Sequence, residues 1–306
     1  MKYLKAVISL SKPNIILSVG LTGFTGIVIA HSGVPSLQIT LLSLLCLIFS
    51  AAGSAMVNNL IERENDELME RLEDRVKALK LVGIKNLSMI AAFLITISLA
   101  LSAIYINLLN CSLILLAILS YTVYYTLFLK RSSPFGTVLG GIPGALPVII
   151  GYSSIQPELS IGYLDIIVLF LFMMVWQPPH FWALAQHLLD DYEKGGFPTM
   201  PIVYGQEFTN YLILIYSLAL LPISLYFWIV TFYLLMNGFY YLYTVCDIDL
   251  EKIKQSLIFS GTGVVIFGLL GAAYPSVNFI NFFLFGQNKR GMRELTSIAG
   301  NTWRGF

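Results

Sequence analysis

From residue 13 to residue 61 the chain carries no charged side chain except the mostly neutral His31. Nothing else in the sequence constrains the fold as strongly. Only 11% of the residues are charged and 57% are hydrophobic, whereas a soluble domain carries roughly a quarter charged residues. A soluble core cannot hide this much apolar surface, so the solvent is lipid. In lipid every backbone group must be satisfied internally, which selects helices of about 20 apolar residues. Charged residues therefore bracket the spans. Residues 13–61 hold two helices around the turn HSGVPS (31–36), and 86–129 hold two that turn near YINLLN (105–110). Residues 132–157 and 166–189 hold one each, 208–246 hold two, and 255–288 hold one, bent near Pro275. The expected fold is an all-α polytopic membrane protein, a bundle of about nine transmembrane helices. The expected organisation is one transmembrane domain over residues 1–286 and a polar tail over 287–306.

Lys and Arg set the orientation of such a bundle. With the N-terminus inside, 14 of the 18 basic residues fall on the cytoplasmic side, and the turns assigned outside hold none. The remaining four lie in the C-terminal tail. This implies an integral protein of a prokaryotic cell membrane. The first helix does the targeting and stays, because MKYLKAVISLSKPN lacks the apolar run of a cleaved signal peptide. A net charge of +1 leaves no electrostatic footprint for nucleic acid. Cys46, Cys111 and Cys246 are far apart in apolar runs and form neither a disulfide framework nor a metal site.

The inside loops are unequal, and 58–86 and 185–207 are the long, loaded ones. The first opens with NNLIERENDELMERLEDR (58–75), in which ten of eighteen side chains are charged. Asn58, Glu62 and Asp66 stand at i, i+4 and i+8, which on a helix is one face. Oxygen ligands at that spacing suit Mg²⁺, which takes one or two carboxylates, waters and substrate phosphates. Arg71 and Arg75 are placed to meet phosphate oxygens. The alternative is a solvated loop helix with ion pairs such as Glu67–Arg71. Asn58 and Glu62 sit near membrane depth, where ionisable groups are costly and mark function.

The second segment, WQPPHFWALAQHLLDDYEKGGFPTMPIVYG (176–205), again sets acids, Asp190, Asp191 and Glu193, just after a span. His187 and Asp191 are at i, i+4. Pro178 and Pro179 are expected to kink or interrupt their helix and free backbone groups toward a cavity. Two acid clusters at the inner ends of spans can converge on one polyphosphate through metal ions. Lys130 and Arg131 end the fourth span on the same side, as membrane anchors or as phosphate contacts. His180 is either a packing residue or a ligand.

These segments resemble the UbiA-type intramembrane prenyltransferase superfamily, and within it the protohaem-farnesylating branch. The first motif there reads N-x-x-x-D/E-x-x-x-D-x-x-M-x-R-x-x-x-R, matched by Asn58, Glu62, Asp66, Met69, Arg71 and Arg75. The second is matched by WQPPHFWALA (176–185) and DYEKGGFPTMPIVYG (191–205), and a third by YTLFLKRSSPFGTVLGGIPGALPVIIGY (125–152). The resemblance implies farnesyl diphosphate and haem B as substrates and Mg²⁺ as cofactor. The metal would be held by Asn58, Glu62, Asp66 and Asp191, the catalytic set. Arg71, Arg75, Lys130, Arg131 and Tyr192 would bind the diphosphate, and His180 the haem. This chain departs from the pattern in four places. Glu62 replaces the usual bacterial Asp; RLEDRVK (71–77) adds Glu73 and Asp74 beside the expected diphosphate; Thr199 interrupts Pro-Met-Leu-Pro; and Gly195 stands where the superfamily's second D-x-x-x-D has an acid. Alternatives are a quinone-type aromatic prenyltransferase, a membrane transporter, and a haem-protein subunit. Acids clustered at one face, rather than at mid-membrane, disfavour transport.

Overall fold

The computed structural model describes residues 2–30, 35–158 and 163–244, with side chains through Tyr226 apart from Tyr163. Among the described residues every element is helical: α1 (Lys2–Leu10), α2 (Pro13–Ala30), α3 (Leu37–Ile61), α4 (Arg63–Asp66), α5 (Glu73–Val82), α6 (Ile84–Tyr105), α7 (Leu108–Leu119), α8 (Lys130–Ser132), α9 (Gly136–Leu139), α10 (Ile142–Ser153), α11 (Tyr163–His187), α12 (Leu189–Lys194) and α13 (Met200–Thr244). A π-helical stretch, Ser120–Leu129, joins α7 to α8. Seven of the described helical segments are long and apolar enough to cross a membrane: Pro13–Ala30, Leu37–Ile61, Ile84–Tyr105, Leu108–Ser132, Gly136–Ser153, Leu164–His187 and Met200–Tyr226.

The first six segments fall where the charges bracket them. The expectation of two helices within 208–246 does not hold. The chain is helical from Met200, kinks at Gly205 (φ 83, ψ 164), and continues from there as one helix to Thr244. Pro222 lies inside it and is absorbed, as prolines in membrane helices often are. The span expected in 255–288, the tail 287–306, the turn around His31 and Cys246 lie outside the described residues. Pro178 and Pro179 likewise do not interrupt α11, which is continuous through both. Neither proline has an N–H, so the carbonyls of Met174 and Val175 lose their i+4 donors. One turn earlier, Gln177 donates through Nε2 to Gly141 O (2.9 Å) and Met173 O (3.0 Å), tying α11 to the start of α10.

Helices that sit in lipid gain nothing by hiding leucine from a solvent that is equally apolar. They associate by close packing and polar contacts. The α2–α10 pair shows this most clearly. A Cβ on Gly151 would lie 1.9 Å from the carbonyl oxygen of Gly23, and one on Gly26 would lie 2.0 Å from that of Val148. The two backbones are in direct contact and only glycine permits it. Gly53 brings α3 against Ala91 and Ile95 of α6 in the same way. Away from the acid loops, Asn110 ties three helices together. Its Nδ2 donates to Ile150 O (2.6 Å) and Ser153 Oγ (2.9 Å), and its Oδ1 accepts from Ser102 Oγ (2.9 Å).

Antiparallel packing of consecutive spans brings the chain ends near residues 12, 62, 84, 132, 136, 187 and 200 to one end of the bundle. Both loaded loops are there. Replacing Gly151 by Val should drive α2 from α10 and cost about 1–3 kcal/mol, seen as a lower melting temperature in detergent. Gly20→Ala, where a Cβ meets nothing within 4 Å, should leave that temperature unchanged or slightly higher.

Candidate active site

Helix α3 ends at Ile61, and Glu62 (φ −91, ψ 2) is a bent junction before α4. The uniform helix expected for 58–66 is therefore broken. The hydrogen-bond register survives the bend, since Glu62 N donates to Asn58 O (2.9 Å) and Asp66 N to Glu62 O (2.8 Å). Asn58, Glu62 and Asp66 accordingly keep one face, and all three are almost wholly buried, at 2%, 2% and 3% exposure.

Each meets a cation or donor of the chain itself. Lys130 Nζ lies 2.6 Å from Glu62 Oε1. Arg75 Nη1 lies 3.4 Å from Asp66 Oδ2. Lys12 Nζ donates to Asn58 Oδ1, and Asn58 Nδ2 donates to Thr126 Oγ1 (3.1 Å). The π-helix makes the last contact possible. Thr126 Oγ1 also donates to Tyr121 O, five residues back, at 2.8 Å, and the wider turn carries Thr126 and then Lys130 onto the α3 side. Such stretches concentrate at functional sites.

The second loaded loop closes on the first. Arg71 Nε lies 3.5 Å from Asp191 Oδ2, and the Arg71 guanidinium lies over the Tyr192 ring at 5.5 Å. Asn65 Nδ2 donates to Gly195 O (2.9 Å), and Lys194 pairs with Glu70. Met69, Leu72 and Phe197 form a small buried cluster with Tyr192 packed on it. Lys130 Nζ lies 4.4 Å from the centre of the Phe197 ring, a cation–π contact. Arg131 Nη2 donates to Ile61 O (3.1 Å) and Asn65 Oδ1 (3.4 Å), holding the first loop to the fourth span.

The structure thus brings together Asn58, Glu62, Asp66, Arg71, Arg75, Lys130, Arg131, Asp191 and Tyr192. It leaves His180 on α11, stacked on Trp176 (centroids 4.8 Å) with Phe181 at its edge. Other expectations change. The Glu67–Arg71 pair does not form; Glu67 pairs with Lys80 (3.0 Å) instead. His187 and Asp191 share no helix face, because Leu188 (φ −114, ψ 31) breaks the chain between them. Glu73 and Asp74 do not crowd the site. They are exposed in the first turn of α5, where acidic charge complements the helix dipole, and Glu73 pairs with Lys77 (2.7 Å). A Cβ on Gly195 would lie 2.3 Å from Met69 Cε. The position of the superfamily's last acid is taken up by the clasp between the loops.

Lys12 is the residue that charge counting misassigns, as a topology signal. Its φ of 57 is the one positive value among described non-glycine residues. That strained turn lets its carbonyl accept from Ile15 N (3.0 Å) and Ile16 N (3.2 Å), starting α2 behind Pro13, and turns its side chain under the bundle. Asn59 Nδ2 donates to Leu10 O (2.8 Å) and holds the turn in place.

The charges act on one another. Burial alone raises the Glu62 carboxyl, but the ammonium groups of Lys130 and Lys12 hold it below its ordinary value. Burial pushes the Asp66 carboxyl above its ordinary value, with Arg75 opposing and Glu62 adding to the rise. Burial pushes Lys12 down to about 7; Arg75 and Lys130 add to the fall, and Glu62 and Asp66 oppose it.

Among the described residues no group of three His, Cys, Asp or Glu side chains converges as a metal cage. The donor set suits a hard cation that draws on one or two carboxylates and on its ligand's phosphates. Asn58, Glu62, Asp66 and Asp191 are the residues that could hold it, with the neighbouring Lys and Arg groups free to re-pair with anionic oxygens.

An all-helical membrane bundle with a buried acid–cation cluster at one end is the frame of an intramembrane transferase. Residues 19–248 match the model of the UbiA prenyltransferase family. The chain belongs to that family. It is 40% identical over 257 residues to the protohaem IX farnesyltransferase of Geotalea uraniireducens, covering 80% of this chain and 96% of that one. It is 36% identical over 222 residues to the enzyme of the same name from Aquifex aeolicus, covering 72% and 75%. The fold matches a solved UbiA homologue from Archaeoglobus fulgidus bound to GPP and Mg²⁺, with TM-score 0.57 and 18% identity over 87% of this chain and 97% of that one. It also matches a digeranylgeranylglyceryl phosphate synthase, with TM-score 0.62 and 17% identity over 90% and 98%.

A buried lysine held below its unfolded value costs stability wherever both states keep the proton, and the cost fades as pH rises from about 7 toward 10.5. The metal-free protein should therefore melt on the order of a few °C higher at pH 9 than at pH 7. Lys12→Met should remove that difference. Scanning fluorimetry of both proteins across the window reads it directly, and identical pH slopes would exclude Lys12 as the titrating group.

Proposed function

We propose that this chain transfers the farnesyl group of farnesyl diphosphate to a vinyl group of haem B, giving haem O and diphosphate. One observation carries the reading. Arg71 on Asp191 joins the two motif segments into a single buried cluster of acids and cations, in a chain 40% identical to a protohaem IX farnesyltransferase along 96% of that protein. A polyphosphate leaving group calls for this mixture of charge at a water-poor bundle end.

The chemistry assigns roles. The allylic C–O bond breaks and both its electrons leave with the diphosphate, while positive charge stays on the farnesyl carbon. The vinyl π electrons form the new C–C bond to that carbon. Water adds to the resulting cation beside the pyrrole ring and loses a proton, completing the hydroxyethyl group. Asn58, Glu62, Asp66 and Asp191 would hold Mg²⁺, which would supply positive charge against the charge developing on the diphosphate. In the described structure Lys130, Arg75 and Arg71 pair with Glu62, Asp66 and Asp191. When substrate and cation arrive, these side chains turn to the phosphate oxygens, Arg in bidentate fashion, with Arg131 at the rim and Tyr192 holding the Arg71 guanidinium flat. Lys12 adds a buried ammonium beside Asn58. Fixed charges in a site that excludes water are worth far more than the same charges in solvent. The farnesyl tail lies among apolar helices or against lipid, and the two loaded loops face the cytoplasm.

Purified protein with haem B, farnesyl diphosphate and Mg²⁺ should yield a farnesylated haem by mass spectrometry, and chelation should abolish it. Turnover on 4-hydroxybenzoate or a naphthoate, with none on haem, would sink the haem reading and favour the quinone-type enzyme. Asp66→Ala and Asp191→Ala should each lower kcat by about 10²–10³-fold with the melting transition retained.

A further inference from the structure

Two helices at the loaded end are not spans. α1 has nine residues and α5 has ten, about 14–15 Å of helix each, too short to cross a bilayer. Each nevertheless runs straight into a span. Two residues separate α1 from α2, and Gly83 alone separates α5 from α6. Their C-terminal ends are therefore fixed at the membrane surface. The inner face of α1 is fully used: Ala6 and Leu10 are buried with Met56 of α3, Ala78 and Val82 of α5 and Leu87 of α6.

The outer face is not an ordinary solvated one. Tyr3, Leu4 and Ile8, with Leu81 at the end of α5, are 45–65% exposed. Lys2 and Lys5 stand among them, and Lys85 follows in the first turn of α6; all three are exposed. Lys77 and Lys80 pair with Glu73 and Glu67, whereas Lys2, Lys5 and Lys85 enter no ion pair among the described residues. The acids of α5, Glu73 and Asp74, lie in its first turn, at the end away from α6. Large apolar side chains interleaved with unpaired lysines, on a helix tied to a span, make an interfacial helix. The apolar groups enter the acyl boundary, and the lysine stems lie along it with their ammonium groups among the headgroups. Water leaves the apolar groups uncovered. A second copy across a two-fold axis would set like charges against each other. What satisfies both halves of the pattern is an acyl layer topped by negative phosphate.

We propose that the outer face of α1, together with Leu81 and Lys85, seats on anionic phospholipid headgroups of the leaflet on the acid-loop side. Lys2, Lys5 and Lys85 meet the headgroup phosphates, and Tyr3, Leu4 and Ile8 enter the acyl boundary. The helix that makes this contact also closes the charge cluster. Leu10 O accepts from Asn59 Nδ2 (2.8 Å), and Lys12, two residues on, donates to Asn58. The lipid seat thus holds the Lys12 turn from outside while Asn58 and Asn59 hold it from within.

Native mass spectrometry of the full-length protein released from nanodiscs tests it, with discs of equal parts phosphatidylglycerol and phosphatidylcholine. Wild type should retain phosphatidylglycerol over phosphatidylcholine by about 5-fold or more. The triple variant Lys2→Gln, Lys5→Gln, Lys85→Gln should retain the two alike, and the matching triple Lys→Arg variant should behave as wild type. The glutamine variant keeps eleven of the fourteen basic residues assigned inside, so its orientation is preserved. Leu4→Ser with Ile8→Ser leaves every charge in place and should lower phosphatidylglycerol retention several-fold. In discs containing phosphatidylglycerol the wild type should melt higher than in phosphatidylcholine alone, and the glutamine variant should not. Inorganic phosphate should displace none of the lipid. Equal retention by wild type, or a glutamine variant that keeps the preference, would overturn the proposal. Displacement by inorganic phosphate would assign the lysines to a free anion, and a dimer lost in the Leu4, Ile8 variant without any lipid preference would give the face to a second copy; either result overturns it too. No arm uses farnesyl diphosphate or haem, so the outcome is separate from that of the haem reading.

Discussion

A carboxylate buried to 2% exposure cannot stand without positive charge beside it, and much of this end of the bundle is arranged to supply that charge to Glu62 and Asp66. Lys12 comes from the turn before the first span, Lys130 from the end of the fourth, and Arg75 from the loop itself, whose Arg71 serves Asp191. The charges arrive on three separate stretches of chain. The cluster therefore works as a fastener as well as a site, tying together elements that lipid gives little reason to associate. Replacing one member strands its partner. Such stranding is the expensive direction for buried pairs, while removing a whole pair is often tolerated.

Three backbone irregularities make the convergence possible. The left-handed turn at Lys12 sends its side chain inward. The bend at Glu62 ends α3 while keeping the i to i+4 hydrogen bonds through Asp66. The π-helix over Ser120–Leu129 shifts the register of the fourth span so that Thr126 meets Asn58 and Lys130 meets Glu62. Regular helices would have pointed these groups elsewhere. Strain of this kind gathers at functional sites because the surrounding packing can carry it.

The sequence was most legible where one physical rule dominates. Charge-free runs gave the first six spans because lipid leaves no other option, and the i, i+4, i+8 spacing of Asn58, Glu62 and Asp66 gave the acid face because the hydrogen-bond register persists even through the bend. It was least legible where contacts join residues far apart in the chain. Lys12 looked like an ordinary positive-inside lysine, since the rule that fixes orientation says nothing about which lysine turns inward. The only hint was its place directly before a proline-led span. The Lys80–Glu67 and Arg71–Asp191 pairs displaced the local Glu67–Arg71 pair because the segment folds back on itself instead of continuing as one helix. The continuous helix through 208–244 is likewise not legible, since length and hydropathy do not reveal whether a long apolar run turns.

The departure at Gly195 ties these strands together. A second D-x-x-x-D would place an acid there, and a side chain would require the terminal methyl of Met69 to move aside. Met69 belongs to the first motif and packs in the same small cluster as Phe197 and Tyr192. The acid loop thus closes on its partner through an apolar contact where the superfamily pattern has an additional carboxylate. One fewer carboxylate means one fewer negative charge to compensate, and by formal charge the four cations Lys12, Arg71, Arg75 and Lys130 outnumber the three carboxylates Glu62, Asp66 and Asp191. A site without surplus negative charge would hold a divalent cation weakly alone and more firmly with an anionic diphosphate. On the proposed reading, the charge balance would favour cation and diphosphate entering together, with the Lys and Arg side chains available to the phosphate once the carboxylates hold the metal.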